Sequence, residues 1–121
     1  MSSQSPLLKD LLALTSRQKV VMDYFLTNIS VGEIIAVRDL NDEIKKRVKR
    51  GERDLVSEID DAIIEREILA DLAYLVKRGF LEYKNGVYSL SKPLRDFLKE
   101  KYGRLYPGKP KSIESILKDV K

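Results

Sequence analysis

The stretch Ile68-Leu-Ala-Asp-Leu-Ala-Tyr-Leu-Val-Lys-Arg-Gly-Phe-Leu-Glu-Tyr-Lys-Asn-Gly-Val-Tyr-Ser-Leu90 decides how this chain folds. Ile68, Leu69, Leu72, Ala73, Leu75 and Val76 recur at helical spacing and predict a helix with a wide buried face. Lys77 and Arg78 fall in its last turn, where cations complement the carbonyl end of the dipole. Gly79 supplies the left-handed conformation of a helix stop, and Phe80 is placed to pack back on the last turn. The pattern then switches to period two around Asn85-Gly86, the strongest short hairpin signal. With those two residues as the turn, Leu81 faces Leu90, Glu82 faces Ser89, Tyr83 faces Tyr88 and Lys84 faces Val87. Opposed residues share a face, so Leu81, Tyr83, Tyr88 and Leu90 form one side, and the other is polar apart from Val87.

Helix, glycine stop and short hairpin in this order resemble the second half of a winged-helix domain. With the upstream elements added, the resemblance runs over residues 15–106. It implies an α+β fold, a winged helix-turn-helix with a small antiparallel wing hairpin and extra N- and C-terminal helices. That fold serves both DNA binding and protein–protein contact, so it implies architecture and leaves function to the surface. The expected division is an apolar helical extension at 1–14, the winged-helix domain at 15–106, and a Pro/Gly breaker with an amphipathic helix at 107–121.

Upstream, Pro6 to Leu14 reads as a short helix with Leu7, Leu8, Leu11 and Leu12 on one side. Thr15 and Gln18 have capping-box spacing and predict the next helix start, with Val20, Val21, Tyr24, Phe25 and Ile29 as its apolar stripe. Glu33-Ile-Ile-Ala-Val37 is β-branched and suits the small strand that pairs with a wing. Asp39 then caps a helix whose Leu40, Ile44 and Val48 repeat every four residues, and which Gly51 interrupts. Between Arg53 and Arg78 two arrangements remain open: one unbroken helix, or a break followed by a helix capped by Ser57. Ser91 caps a helix that tolerates Pro93 in its first turn. Beyond Pro107-Gly-Lys-Pro110, Ile113, Ile116, Leu117 and Val120 again recur at helical spacing.

Composition excludes whole classes of chemistry. The 121 residues contain no cysteine and no histidine, so disulfides, zinc–thiolate sites, imidazole triads and histidine switches are impossible. No phosphate-binding glycine loop is present, and the reading is of a non-enzyme without a cofactor. Glu58, Asp60, Asp61 and Glu65 suit magnesium, but they equally suit the positive end of a helix dipole. No apolar run approaches membrane length, and a cytoplasmic location is expected. Charged residues make up 35% of the chain, a composition that suggests a thermophile.

Charge is unevenly distributed. Residues 38–53 carry seven basic and four acidic groups, residues 54–71 one basic and seven acidic, and residues 72–121 twelve basic and five acidic. The run Lys45, Lys46, Arg47, Lys49 and Arg50, with Arg53 and the wing residue Lys84, is the candidate for DNA phosphates. The third helix opposes that reading, because Glu58, Asp60, Asp61, Glu65 and Glu67 crowd the half that would enter the major groove. Carboxylates there repel phosphates, and only cytosine amino groups reward them.

Two functions follow. The first is a transcription or chromatin factor that binds DNA with weak sequence preference, dimeric through the stripes Leu7/Leu8/Leu11/Leu12 and Ile113/Ile116/Leu117/Val120. The second is a protein-interaction module of a replication or transcription assembly, docking through the acidic helix 57–71 or the C-terminal helix.

Overall fold

The computed structural model describes residues 10–58 and 60–103. Helix α1 (Ser16–Asn28) leads into strand β1 (Ser30–Gly32) and helix α2 (Glu33–Lys49). A 3-10 turn at Arg53–Leu55 and helix α3 (Asp61–Lys77) follow, then β2 (Leu81–Lys84), β3 (Val87–Leu90) and α4 (Lys92–Tyr102). The three strands form an antiparallel sheet in the order β1-β3-β2. This is an α+β, winged-helix-like arrangement with β2 and β3 as the wing. Of the terminal stripes, Leu7, Leu8, Ile113, Ile116, Leu117 and Val120 lie outside the described residues.

Local signals produce most of the element ends. Thr15 Oγ1 accepts from Gln18 N–H at 3.1 Å and Gln18 Oε1 accepts from Thr15 N–H at 3.0 Å, the reciprocal capping box. At the end of α3, Phe80 N–H reaches Leu75 C=O at 2.9 Å and Gly79 N–H reaches Val76 C=O at 3.1 Å. Gly79 sits at φ +87°, which completes the left-handed helix stop. Asn85 (φ 52°) and Gly86 (φ 76°) make the hairpin turn, and all four expected pairs, from Leu81–Leu90 to Lys84–Val87, are present. Ser91 Oγ accepts from Leu94 N–H at 3.3 Å and starts α4. A side chain at Gly86 would meet nothing within 4 Å, so only the backbone opposes one. Gly86→Val is therefore expected to cost about 1 kcal/mol, read as a lower midpoint in thermal unfolding.

Three expectations are corrected. Glu33–Val37 is the first turn and a half of α2, and the small strand lies just before it at Ser30–Gly32. The stripe Leu40, Ile44, Val48 extends back by one step to Ala36, also fully buried, so helical burial overrides the β preference of Ile34, Ile35 and Val37. Asp39 consequently lies inside α2, where its Oδ2 accepts from Tyr24 O–H at 2.8 Å and ties α1 to α2. The segment 53–78 is not one helix: the 3-10 turn buries Leu55, and α3 begins afresh at Asp60. Asp60, not Ser57, caps it, accepting from Ala62 N–H at 3.0 Å and Ile63 N–H at 3.2 Å.

The core joins α1 to everything else. Val20, Val21, Met22, Phe25 and Leu26 are buried, with Tyr24 and Ile29 half-buried beside them. Ile29 turns the chain from α1 into β1 at φ 67°, ψ −52°, a strained conformation for a β-branched residue. It is held there by its N–H on Phe25 C=O at 2.7 Å and by Leu90 N–H on its own C=O at 2.8 Å. Leu11 and Leu14 are buried in this same core. Leu11, expected on an interface, is thus used inside the domain, whereas Leu12 is 55% exposed.

A polar clasp closes the other side of α1. Arg17 pairs through Nε with Asp71 Oδ2, and its Nη2 donates to Asp71 Oδ1 at 3.2 Å. Its Nη1 donates to Leu55 C=O at 3.1 Å and lies 3.6 Å from Glu67 Oε1. One side chain of α1 therefore holds both the 3-10 turn and α3. The hydrogen bond to Asp71 holds the Arg17 guanidinium above its already high pKa.

Candidate protein-interaction surface

The cations expected to contact phosphates divide into two groups. Lys45 Nζ is 2.9 Å from Asp61 Oδ1, and that bond raises its pKa above the usual lysine value. Arg47 Nε is 2.8 Å from Glu43 and its Nη1 is 3.5 Å from Glu52. Both are engaged within the domain. Lys46, Lys49, Arg50 and Arg53 are exposed at the end of α2 and the turn after it, and Lys84 is exposed on the wing.

The acidic half of α3 is also largely committed to the fold. Asp60 caps the helix, Asp61 holds Lys45, and Glu67 takes Arg17 and, at 2.9 Å, Ser57 O–H. Glu58 and Glu65 remain exposed. Among the described residues no cluster of three or more carboxylates is arranged to hold a metal ion. Nor is any helix among them long and apolar enough to cross a membrane.

Exposed apolar side chains gather where α2 starts. Ile34 is 84% exposed and Ile35 48%. This end of α2 is fastened to the wing: Gly32 pairs with Val87, Glu33 N–H donates to Gly86 C=O at 2.8 Å, and Tyr83 O–H donates to Glu33 Oε1 at 2.8 Å. Tyr83 packs against Tyr88 with ring centroids 4.7 Å apart and planes tilted by 49°, and, like Val87, remains partly open to solvent. The apolar residues thus stand on a rigid corner. A groove of about 280 Å³ lies between α2 and α3, lined by Val37 and Arg38, which follow the isoleucines in α2, and by Asn41, Asp42, Lys45, Asp61 and Glu65. Leu69, partly exposed, lies one helical turn beyond Glu65.

Sequence reasoning missed Ile34 and Ile35 by assigning them to the small strand that pairs with the wing. The usable signal was the four-residue repeat, which carried back to Ala36 leaves both isoleucines off the buried stripe.

A second concavity, about 450 Å³, separates α1 from α2 and is lined by Asp23, Tyr24, Asp39, Asp42, Glu43 and Lys46 among others. Burial, then the bond to Asp39, pushes the Tyr24 hydroxyl well above its usual pKa. Tyr24 therefore remains a neutral donor across the ordinary pH range.

The model of one protein family, described as PolB1 Binding Protein 2, matches residues 15–96, more than half of the chain. The chain belongs to that family. No curated protein and no solved structure matches it. The family match opens on the capping residue Thr15 and closes within α4 at Asp96. It thus takes in the whole sheet, the Arg17–Asp71 clasp and the apolar corner at Ile34 and Ile35.

Proposed function

We propose that this chain is a non-catalytic accessory subunit that binds a DNA polymerase, the PolB1 of its family's name, as a protein-interaction module. The observation that carries the reading is the family match over residues 15–96. Two features of the surface support it. The α3 half that reads DNA in many winged helices carries carboxylates here, a poor surface for a phosphate backbone. Exposed apolar side chains clustered on a rigid corner suit a protein partner better than a polyanion.

DNA contact is a second reading, favoured by the exposure of Lys46, Lys49, Arg50 and Arg53 at one end of α2. Such binding would rest on phosphates and be largely independent of sequence. One titration series separates the two. The chain is titrated with purified PolB1 and, in parallel, with a random duplex at about 150 mM salt. The accessory-subunit reading expects a defined complex with the polymerase at about micromolar Kd or tighter, and weak duplex binding. No complex at tens of micromolar ends that reading. Duplex binding that loses more than about twofold on changing the four cations to Ala establishes the second.

A further inference from the structure

We propose that the exposed Ile34 and Ile35 at the start of α2, with the groove between α2 and α3, dock a segment of the polymerase in which apolar anchors adjoin lysine or arginine. This rests on the accessory-subunit reading and names the surface that would carry it.

The fold has no use of its own for the two isoleucines. They lie off the buried stripe of α2, and isoleucine is a poorer helix former than the alanine, glutamate or lysine usual at exposed positions. A lone exposed apolar residue needs no explanation, but a contiguous group does. Tyr83, whose hydroxyl bonds Glu33, brings one more partly exposed ring to this end of α2, whereas Val87 lies on the opposite face of the hairpin. The bonds of β1 and Glu33 to the hairpin also fix the corner before any partner arrives, which lowers the ordering cost of association.

Charge specifies the partner. In the groove Asp61 is paired with Lys45, and Arg38 lies 3.6 Å from Asp39 outside it. Asp42 and Glu65 have no cation within 4.0 Å among the described residues, and Asp42 acts on Lys45 only at longer range. Arg38 and Lys45 against Asp42, Asp61 and Glu65 leave the groove lining at net −1, and a segment with cations beside its anchors is complementary to it.

Area argues against a second copy as the occupant. A patch of this kind offers a few hundred Å², roughly 400. A two-fold pair built on it would bury roughly 800 Å² in all, below the roughly 1,200 Å² of a stable complex. A larger partner that reaches beyond the corner meets that requirement while using the isoleucines as its central anchors.

The test uses the full chain and purified PolB1. Ile34→Gln combined with Ile35→Gln is expected to leave thermal unfolding unchanged, since both side chains are exposed, and to weaken polymerase binding at least thirtyfold, about 2 kcal/mol. Asp42→Asn with Glu65→Gln is expected to reduce the salt dependence of binding. If wild type binds and the isoleucine variant binds equally well, the docking surface is overturned and the accessory-subunit reading stands. If wild type does not bind, both fall. A chain that dimerises alone, and whose dimer the isoleucine variant dissolves with polymerase affinity unchanged, assigns the corner to a second copy and overturns the proposal.

Discussion

Asp71→Ala is expected to lower the stability of the domain by about 3 kcal/mol, the cost of leaving a half-buried arginine without its carboxylate. Asp71 is 4% exposed, and it accepts from Arg17 through both oxygens and from Gln18 Nε2 at 3.4 Å. Arg17 also holds the Leu55 carbonyl, so losing the carboxylate loosens the 3-10 turn as well as α3. Arg17→Ala also removes the bonds to Leu55 C=O and Glu67 and leaves the 4%-exposed carboxylate with only Gln18 Nε2 as partner, so a loss at least as large, about 3 kcal/mol, is expected. Replacing both, as Arg17→Met with Asp71→Leu, exchanges a paired polar group for apolar contact and should recover most of the loss. Urea unfolding checks this through the midpoint at constant slope. A double-mutant cycle with coupling below about 0.5 kcal/mol would show that the two side chains act independently.

Phe25→Ala is expected to cost about 4 kcal/mol. Phe25 is fully buried in α1 and meets two rings edge-on, Tyr24 at 5.2 Å and Tyr88 at 6.3 Å between centroids. Tyr88 is in β3, the central strand, so this ring is where helix α1 rests on the sheet. Truncation removes the transfer free energy of the ring and leaves a cavity bordered by strands that cannot collapse into it. Phe25→Leu keeps much of the buried area and should cost only about 1 kcal/mol. Since small domains are stable by roughly 5–15 kcal/mol, the alanine variant should show a midpoint shift large enough to read directly by denaturant titration. A Phe25→Leu variant as stable as the wild type would mean the ring contacts contribute little beyond area.

These two groups position the elements that carry the proposed docking surface. The clasp sets α3 against α1, and the Phe25 contact sets the sheet against α1. The groove at Lys45–Asp61 and the corner at Ile34 and Ile35 exist only where α2, α3 and the wing have been positioned by those contacts. Variants of the clasp should therefore weaken partner binding only through the folded fraction, whereas the proposed surface expects Ile34 and Ile35 variants to affect binding alone.

Winged-helix order does not by itself assign α3 to the major groove. In this chain Asp60, Asp61 and Glu67 each have a structural partner, a backbone N–H, Lys45, or Arg17 with Ser57. An acidic third helix is thus explained by capping and by ties to α1 and α2. The same ties engage Lys45, one of the cations that sequence alone offered to DNA.

By itself the sequence determined the elements whose hydrogen bonds close over a few residues. The Thr15–Gln18 box, the Gly79 stop, the Asn85-Gly86 turn with its four-pair register, and the Ser91 cap are each specified by neighbours, so reading neighbours recovers them. The stripe Leu40, Ile44, Val48 belongs with them, because period and burial agree. Tertiary structure decided the rest. Whether Ile34 and Ile35 were strand or helix depended on β3, whose pairing with β1 ends at Gly32 and Val87 and so hands the next residues to α2. The break before α3 depended on Arg17 and the buried Leu55, and Arg17 meets Asp71 across a separation of 54 residues that no local pattern reveals. The exposure that makes Ile34 and Ile35 candidates for a partner arises last, since burial belongs to the assembled core and short-range propensity cannot state which face that core will cover.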